Sequence, residues 1–299
     1  MTGCWSDHIM SETTKWPGVL GGSRTLSLVI DFHLHMALYE EMHPWVAEFR
    51  QSNIQEDLDS FHARYSTPQA MDAMLEENGA DYGVMLPELS LITTGKASTE
   101  YVVEFCRGSR RLIPFATVNP YLVARPAQLV ERYVRELGCK GLKLYPTYQH
   151  FFPNEAMIYP MYAKAEELGV PVMFHTGSSV FRGSKLKYGD PLLLDDVAVD
   201  FPDLKLVQAH SGRGFWYDRA FFLARLHKNV YMEISGLPPQ KLLAYFPEIE
   251  RNADKIIFGS DWPGVPHIKR NIDLIRGLPI KEEVKQKLLG GNAAKVLGL

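Results

Sequence analysis

Short β-branched, apolar runs recur along this chain, each followed by a stretch of helical periodicity, and the alternation repeats about eight times. The candidate strands are LSLVIDFHLH (26–35), DYGVMLP (81–87), LIPFATVN (112–119), KGLKLYP (140–146), VPVMFHTG (170–177), LKLVQAH (204–210), NVYMEIS (229–235) and KIIFGSDWP (255–263). The segments between them carry helix start and stop signals. TPQAMDAMLEENGA offers Thr67 as a cap, Pro68 in the first turn and Gly79 as a stop, and the two helical stretches before strands four and five end on Gly138 and Gly169. Strand–helix alternation of this length predicts an α/β fold closed into a parallel (β/α)8 TIM barrel. An open doubly wound sheet would more often show a glycine-rich phosphate turn after its first strand, whereas here that strand runs into HLHMALYEEMHPW.

Two stretches depart from the repeat. Residues 1–24 have no clear period and read as an N-terminal extension, leaving 25–299 as the barrel domain. Residues 36–66 form a long insertion after strand one, rich in aromatic residues and histidine, and an insertion at that end of a barrel strand is expected to cover the active-site mouth.

Composition narrows the function classes. A hydrophobic share of 46% against 22% charged residues is ordinary for a globular domain, and a net charge of −3 gives no electrostatic reason to expect nucleic acid or an acidic membrane as partner. Cys4, Cys106 and Cys139 are odd in number and widely spaced, so neither a disulfide framework nor a Cys-x-x-Cys metal site is expected, and a reducing cytoplasm is the expected compartment. The first residues lack the continuous apolar core of a signal peptide. No apolar run approaches the ~20 residues that span a bilayer.

Buried parallel strands should be nearly all apolar, yet several of these end in metal-type ligands. Side chains alternate along strand one, so Asp31, His33 and His35 are expected on one face and Ile30, Phe32 and Leu34 on the other. With the second face packed on helices, His33 and His35 point into the barrel mouth and can grip one cation; the alternative is a pair of hydrogen-bonded core histidines. Strand five ends in His175, strand six in His210 and strand eight in Asp261. Each alone is a weak signal, but together they mark the end of the barrel where active sites lie. Three histidines and a carboxylate suit a borderline cation, Zn²⁺ foremost.

The motifs DFHLH, FHTG, AHSG and FGSDWP in this order, with LGGNAAKVLGL at the end, resemble the amidohydrolase superfamily from about residue 28 onward. Within it, the resemblance is to the amidohydrolase-2 group of metal-dependent hydrolases and decarboxylases, which includes aminocarboxymuconate-semialdehyde decarboxylase-like enzymes and sugar-lactone hydrolases. It implies His33, His35 and His175 as metal ligands, His210 as a catalytic residue and Asp261 as a ligand or proton acceptor. In such a set Asp261 takes a proton from water, and His210 stabilises the developing oxyanion or protonates the leaving group. Two-metal members carry a carboxylated lysine on strand four, so Lys143 leaves a second ion open; it is otherwise expected to bind substrate or to serve the structure.

Arg213, Trp216 and Tyr148 join Lys143 as substrate-side candidates, since an arginine can hold a carboxylate bidentately and aromatics can wall a pocket. Tyr217, Arg219, Gln149, His150 and Arg182 lie near them in sequence and are expected in loops. His43 and His62 read as structural or lid residues, His8, His227 and His267 as surface, and Asp31 as a support for a neighbouring ligand. The leading expectation is hydrolysis of an ester, lactone or amide bond in a small molecule, because FGSDWP resembles the lactonase branch. The alternative is non-oxidative decarboxylation of a small unsaturated or aromatic acid. The resemblance also leaves room for a homodimer.

Overall fold

The computed structural model describes residues 28–299. The extension 1–24 with Cys4 and His8, and the start of the first predicted strand, lie outside the described residues. Eight parallel strands follow in order: β1 (Ile30–His35), β2 (Tyr82–Leu86), β3 (Leu112–Pro114), β4 (Leu142–Leu144), β5 (Val172–His175), β6 (Leu206–Ala209), β7 (Val230–Glu233) and β8 (Ile256–Ile257). Each sits inside a predicted run. Strands β1 to β3 form one continuous ladder and β4 to β8 another. Isolated parallel bridges join the two, Ala116 to Leu142 on one side and Leu34 to Trp262 on the other. Backbone hydrogen bonds carry the ring across both seams: Lys143 N–H donates to Ala116 O at 2.7 Å, Phe32 N–H to Phe258 O at 3.0 Å and His35 N–H to Trp262 O at 2.8 Å. The barrel closes.

Helix ends follow the local chemistry. Thr67 accepts a hydrogen bond from Ala70 N–H at the start of the helix Pro68–Glu77, and Gly79 and Gly138 turn out of their helices with φ of 73° and 77°, a conformation other residues avoid. Cys106 and Cys139 are both buried and free. Among the described residues no helix is long and apolar enough to cross a membrane.

The two-face reading of β1 needs correction. Ile30 and Phe32 belong to the apolar filling of the barrel, with Val84, Leu86, Ile113, Phe115, Met173, Val207 and Ile257. Leu34 instead packs outward with Met71, Leu75 and Met85 under the surrounding helices. The pairing explains the switch: Asp31 is opposite Gly83 and Leu34 opposite Met85, so β1 carries one extra residue between them. This β-bulge reverses the alternation. Below it Phe32 faces the barrel axis; above it His33 and His35 do. Asp31 therefore does not share their face, but its Oδ1 accepts from His33 N–H at 3.1 Å and from Ser260 N–H at 2.9 Å, tying β1 to the turn after β8. Burial pushes its carboxyl up to about 7.

The insertion after β1 lies over the mouth as expected. It contains the short strand Glu41–Met42 and the helices Pro44–Asn53 and Leu58–Arg64, and Tyr39, Val46, Phe49 and Arg50 reach the cavity beneath it. A second cover follows β2: strands Glu88–Ser90 and Gly95–Ala97 pair antiparallel, with Glu41–Met42 added at the edge. Sequence reading missed this flap because strands of two and three residues are too short to show a period.

Phe115 fills the barrel floor, edge-on to Phe32 with ring centroids 5.5 Å apart. Phe115→Ala is expected to lower stability by about 3–5 kcal/mol, the range for emptying an aromatic site in a packed core. Urea unfolding checks this, and a loss below about 1 kcal/mol would show that the floor collapses around the void.

Candidate active site

The upper ends of the strands converge on a cavity of about 270 Å³. Its floor is made by His33 and His35 from β1, His175 from β5, His210 after β6 and Asp261 after β8. His33 Nε2 and His35 Nε2 lie 3.2 Å apart, and Asp261 Oδ1 is 3.6 Å from each. Donor atoms of His33, His210 and Asp261 also fall within 4.8 Å of one another. The rings of His33 and His175 flank that of His210, with centroids 4.9 and 4.7 Å from it.

Burial sets the protonation of this cluster. The pKa of each of His33, His175 and His210 is held well below the usual imidazole range, first by loss of water and then by nearby cations, Lys143 for His33, Lys143 and Arg213 for His175, and Arg213 foremost for His210. Neutral imidazole is the form that binds a cation. His33 Nδ1–H donates to Glu233 Oε2 at 3.2 Å, which leaves its Nε2 lone pair facing Asp261. His210 Nδ1–H donates to the Ser235 carbonyl at 3.0 Å, leaving its Nε2 without a proton. His175 Nε2 is buried with no hydrogen-bond partner, an arrangement that costs stability unless something binds there.

These residues fit a divalent cation. A tetrahedral site with bonds of about 2.1 Å has edges of about 3.4 Å, close to the separations within the His33, His35 and Asp261 triangle. His210, whose donor atom falls with those of His33 and Asp261, and the partnerless Nε2 of His175, whose ring lies 4.7 Å from that of His210, are the further donors beside it. The core-histidine alternative would have satisfied the His175 atom within the protein.

Two site residues hold a backbone conformation that side chains disfavour. His210 and Asp261 have φ of 61° and 72°, each costing about 1–3 kcal/mol. Asp261 is kept there by its N–H, which donates to His33 O at 3.0 Å. His210 is held by its N–H to Glu233 Oε2 at 3.3 Å.

Glu233 is the main residue that sequence reading passed over. It ends β7, is fully buried, and accepts from His33, from His210 and twice from Ser235, whose N–H and hydroxyl are each at 2.8 Å. An acid within VYMEI, the apolar heart of the NVYMEIS run, was the available signal. Burial drives its carboxyl up and drives the Lys143 amine down. Lys143 lies on β4 in register with Met173 of the barrel filling, fully buried beneath the histidines, and its Nζ has no hydrogen-bond partner. It does not line the cavity, which argues against direct substrate contact in this arrangement.

Arg213 and Tyr148 do line the cavity. Arg213 Nη1 is 3.8 Å from Asp261 Oδ2 and its Nη2 donates to Ser178 O at 3.1 Å. A Cβ on Gly236 would come within 2.6 Å of that Nη1, so only glycine leaves the guanidinium in place. Trp216 is not brought in: it precedes the helix Tyr217–Leu226 and meets Phe215 rather than the cavity, because the turn after His210 sends its side chain past the mouth. His227, expected on the surface, is half-buried and paired with Asp195 at 2.6 Å. Tyr217, Arg219, Gln149, His150 and Arg182 serve loop and surface contacts.

Arg50 was also missed. It sits on the helix Pro44–Asn53, is buried, lines the cavity, and lies 4.6 Å from the Tyr39 ring centre. Among the described residues no carboxylate comes within 4.0 Å of its guanidinium. Nothing in the insertion's sequence marks this arginine as buried rather than solvated.

The protein titrated with Mn²⁺ or Zn²⁺ is expected to bind about one ion per chain, and His175→Ala to remove that binding. Glu233→Gln is expected to weaken it by about 10–100-fold, the usual effect of losing the partner that aligns a ligand histidine. Calorimetric titration reads both; wild-type affinity in Glu233→Gln would show that His33 does not depend on it.

Comparison with known proteins places this geometry. The family model described as Amidohydrolase matches residues 30–299. A gamma-resorcylate decarboxylase from Polaromonas sp. (strain JS666) is 24% identical over 228 residues, covering 60% of this chain and 68% of that protein. An uncharacterised TIM-barrel protein from Bordetella bronchiseptica superposes with a TM-score of 0.75 at 23% identity, covering 90% of this chain and 98% of that one. A dihydroxybenzoic acid decarboxylase from Polaromonas sp. JS666, solved with manganese and the inhibitor 2-nitroresorcinol, gives a TM-score of 0.70 at 18% identity, with coverages of 92% and 98%.

Proposed function

The chain belongs to the amidohydrolase family, and from that premise we propose that it is a divalent-metal enzyme that decarboxylates a small unsaturated or aromatic carboxylic acid without an oxidant. The observation that carries this reading is Arg50, a buried guanidinium lining the cavity that donates to Ala37 O and lies against Tyr39 but has no acidic partner within 4.0 Å among the described residues. A buried cation without a counter-charge is costly, and an anionic substrate group relieves that cost. Tyr39, Phe49, Tyr145, Tyr148 and Phe181 wall the same cavity, which suits a flat, unsaturated molecule. The likeness to a gamma-resorcylate decarboxylase supports the same choice.

His33, His35, His175 and Asp261 would hold the ion. When bound, it supplies positive charge that neutralises and polarises the substrate's oxygen atoms. Arg50 admits and orients the acid through a charge-assisted hydrogen bond. A proton taken up from water by the Asp261 carboxylate passes to the carbon that bears the departing carboxylate. The carbon–carbon bond then breaks, its electron pair stays with the ring or alkene, and carbon dioxide leaves. Arg213, beside Asp261 Oδ2, orients that carboxyl group.

Hydrolysis of an ester, lactone or amide, which the sequence placed first, is the second reading. In that reading Asp261, whose Oδ1 is 3.6 Å from Nε2 of both His33 and His35, would take a proton from water, and the bare Nε2 of His210 would relay it to the leaving group. The proposal includes zinc or manganese as the ion, a small-molecule substrate with neither nucleic acid nor membrane as partner, a cytoplasmic location, a homodimer and residues 25–299 as the catalytic domain.

The metal-loaded protein, offered a panel of hydroxybenzoates and a panel of lactones, is expected to release carbon dioxide from an acid. Arg50→Met should lower kcat/KM by about 10–100-fold, matching loss of one charged hydrogen bond, and Asp261→Asn should abolish turnover. Lactone opening with no carbon dioxide from any acid would replace the first reading by the second.

A further inference from the structure

The flap after β2 carries beside the cavity a group of polar atoms that make no well-formed hydrogen bond within the protein, although the Ser90 and Thr94 hydroxyls stand close to the Glu88 carboxyl. Glu88 Oε1, Ser90 Oγ and Thr94 Oγ1 are all buried and without hydrogen-bond partners. Glu88 and Ser90 stand two apart on one strand and so share a face; Glu88 and Thr94 line the cavity wall. Their residues are at most 2% exposed. No Lys or Arg nitrogen lies within 4.0 Å of the Glu88 carboxyl among the described residues. Three buried polar groups gathered on one short flap, with only loose contacts among themselves, are more than a native fold leaves without cause.

We propose that Glu88, with Ser90 and Thr94, forms a subsite that recognises a hydroxyl substituent on the substrate, making Glu88 a specificity-determining residue. This rests on the reading of the cavity as a carboxylic-acid site and narrows the substrate to an acid that carries a hydroxyl group. The chemistry is complementary: a carboxyl and two hydroxyls can both accept from and donate to a neutral O–H, whereas Arg50 and the histidine cluster offer only what an anion or a cation needs. Burial pushes the Glu88 carboxyl up to about 7, although the hydroxyls of Ser90, Thr94 and Tyr145 favour its charged form. A carboxyl poised near neutrality avoids repelling the acid held by Arg50. A polar site of this kind discriminates strongly, because an analogue lacking the hydroxyl leaves the buried groups unpaired.

The test is equilibrium binding of benzoate and the three monohydroxybenzoates to Mn²⁺-loaded protein, together with melting of the protein without any ligand. The wild type should bind one of the hydroxybenzoates at least about 10-fold more tightly than benzoate. Glu88→Leu should reduce that preference to within about 2-fold while benzoate still binds, Thr94→Val should reduce it in part, and Glu88→Gln should retain part of it. Without ligand, Glu88→Leu should leave Tm unchanged or raise it, since an unsatisfied buried carboxyl is removed. A preference that is absent in the wild type, or that survives in Glu88→Leu, overturns the subsite, and so does a fall in Tm of several degrees. Benzoate binding that is absent, or indifferent to Arg50→Met, counts against the carboxylic-acid reading itself, and in that case the Tm of Glu88→Leu still decides whether the carboxyl is structural.

Discussion

One extra residue in β1 governs what reaches the cavity. The bulge between Asp31 and Leu34 lets the same strand put Phe32 into the apolar floor and then His33 and His35 above it, all toward the barrel axis. A regular strand could not do both, since strict alternation would send either Phe32 or His33 outward. The backbone bonds that close β1 against the end of β8 run through the same residues: His33 O accepts from Asp261 N–H and His35 N–H donates to Trp262 O. Barrel closure and assembly of the His and Asp triangle are therefore one structural event.

Around that seam the protein keeps several groups in states that cost stability. His210 and Asp261 carry positive φ, His175 has an unpaired buried nitrogen, and Lys143 and Arg50 are buried cations. Glu233 offsets part of this by binding His33, His210 and Ser235 at once. The apolar filling below and the helices outside supply the stability that such a site requires. Among the unsatisfied buried atoms, those of Glu88, Thr94 and His175 belong to residues that line the cavity, where strain can serve binding rather than folding.

Much of this was legible in the chain. Eight short apolar runs, with Thr67, Gly79 and Gly138 where helices should begin and stop, were enough for the barrel, because those signals act through local backbone preferences. Strand-terminal His33, His35, His175, His210 and Asp261 stood out because polar residues are out of place in buried parallel strands. Glu233 obeyed the same rule and could have been found by it. Trp216 was misplaced because proximity in sequence to His210 says nothing about where the chain goes after a left-handed turn.

What the sequence determined by itself was the kind of fold and the identity of the donor cluster, since periodicity and strand-end polarity are properties of neighbouring residues. Tertiary structure decided the bulge that orients β1, the burial that leaves Arg50 without a counter-charge and the loosely bonded polar atoms of Glu88, Ser90 and Thr94. Each of those depends on how much water and which partners remain after distant segments meet, and no local pattern encodes that.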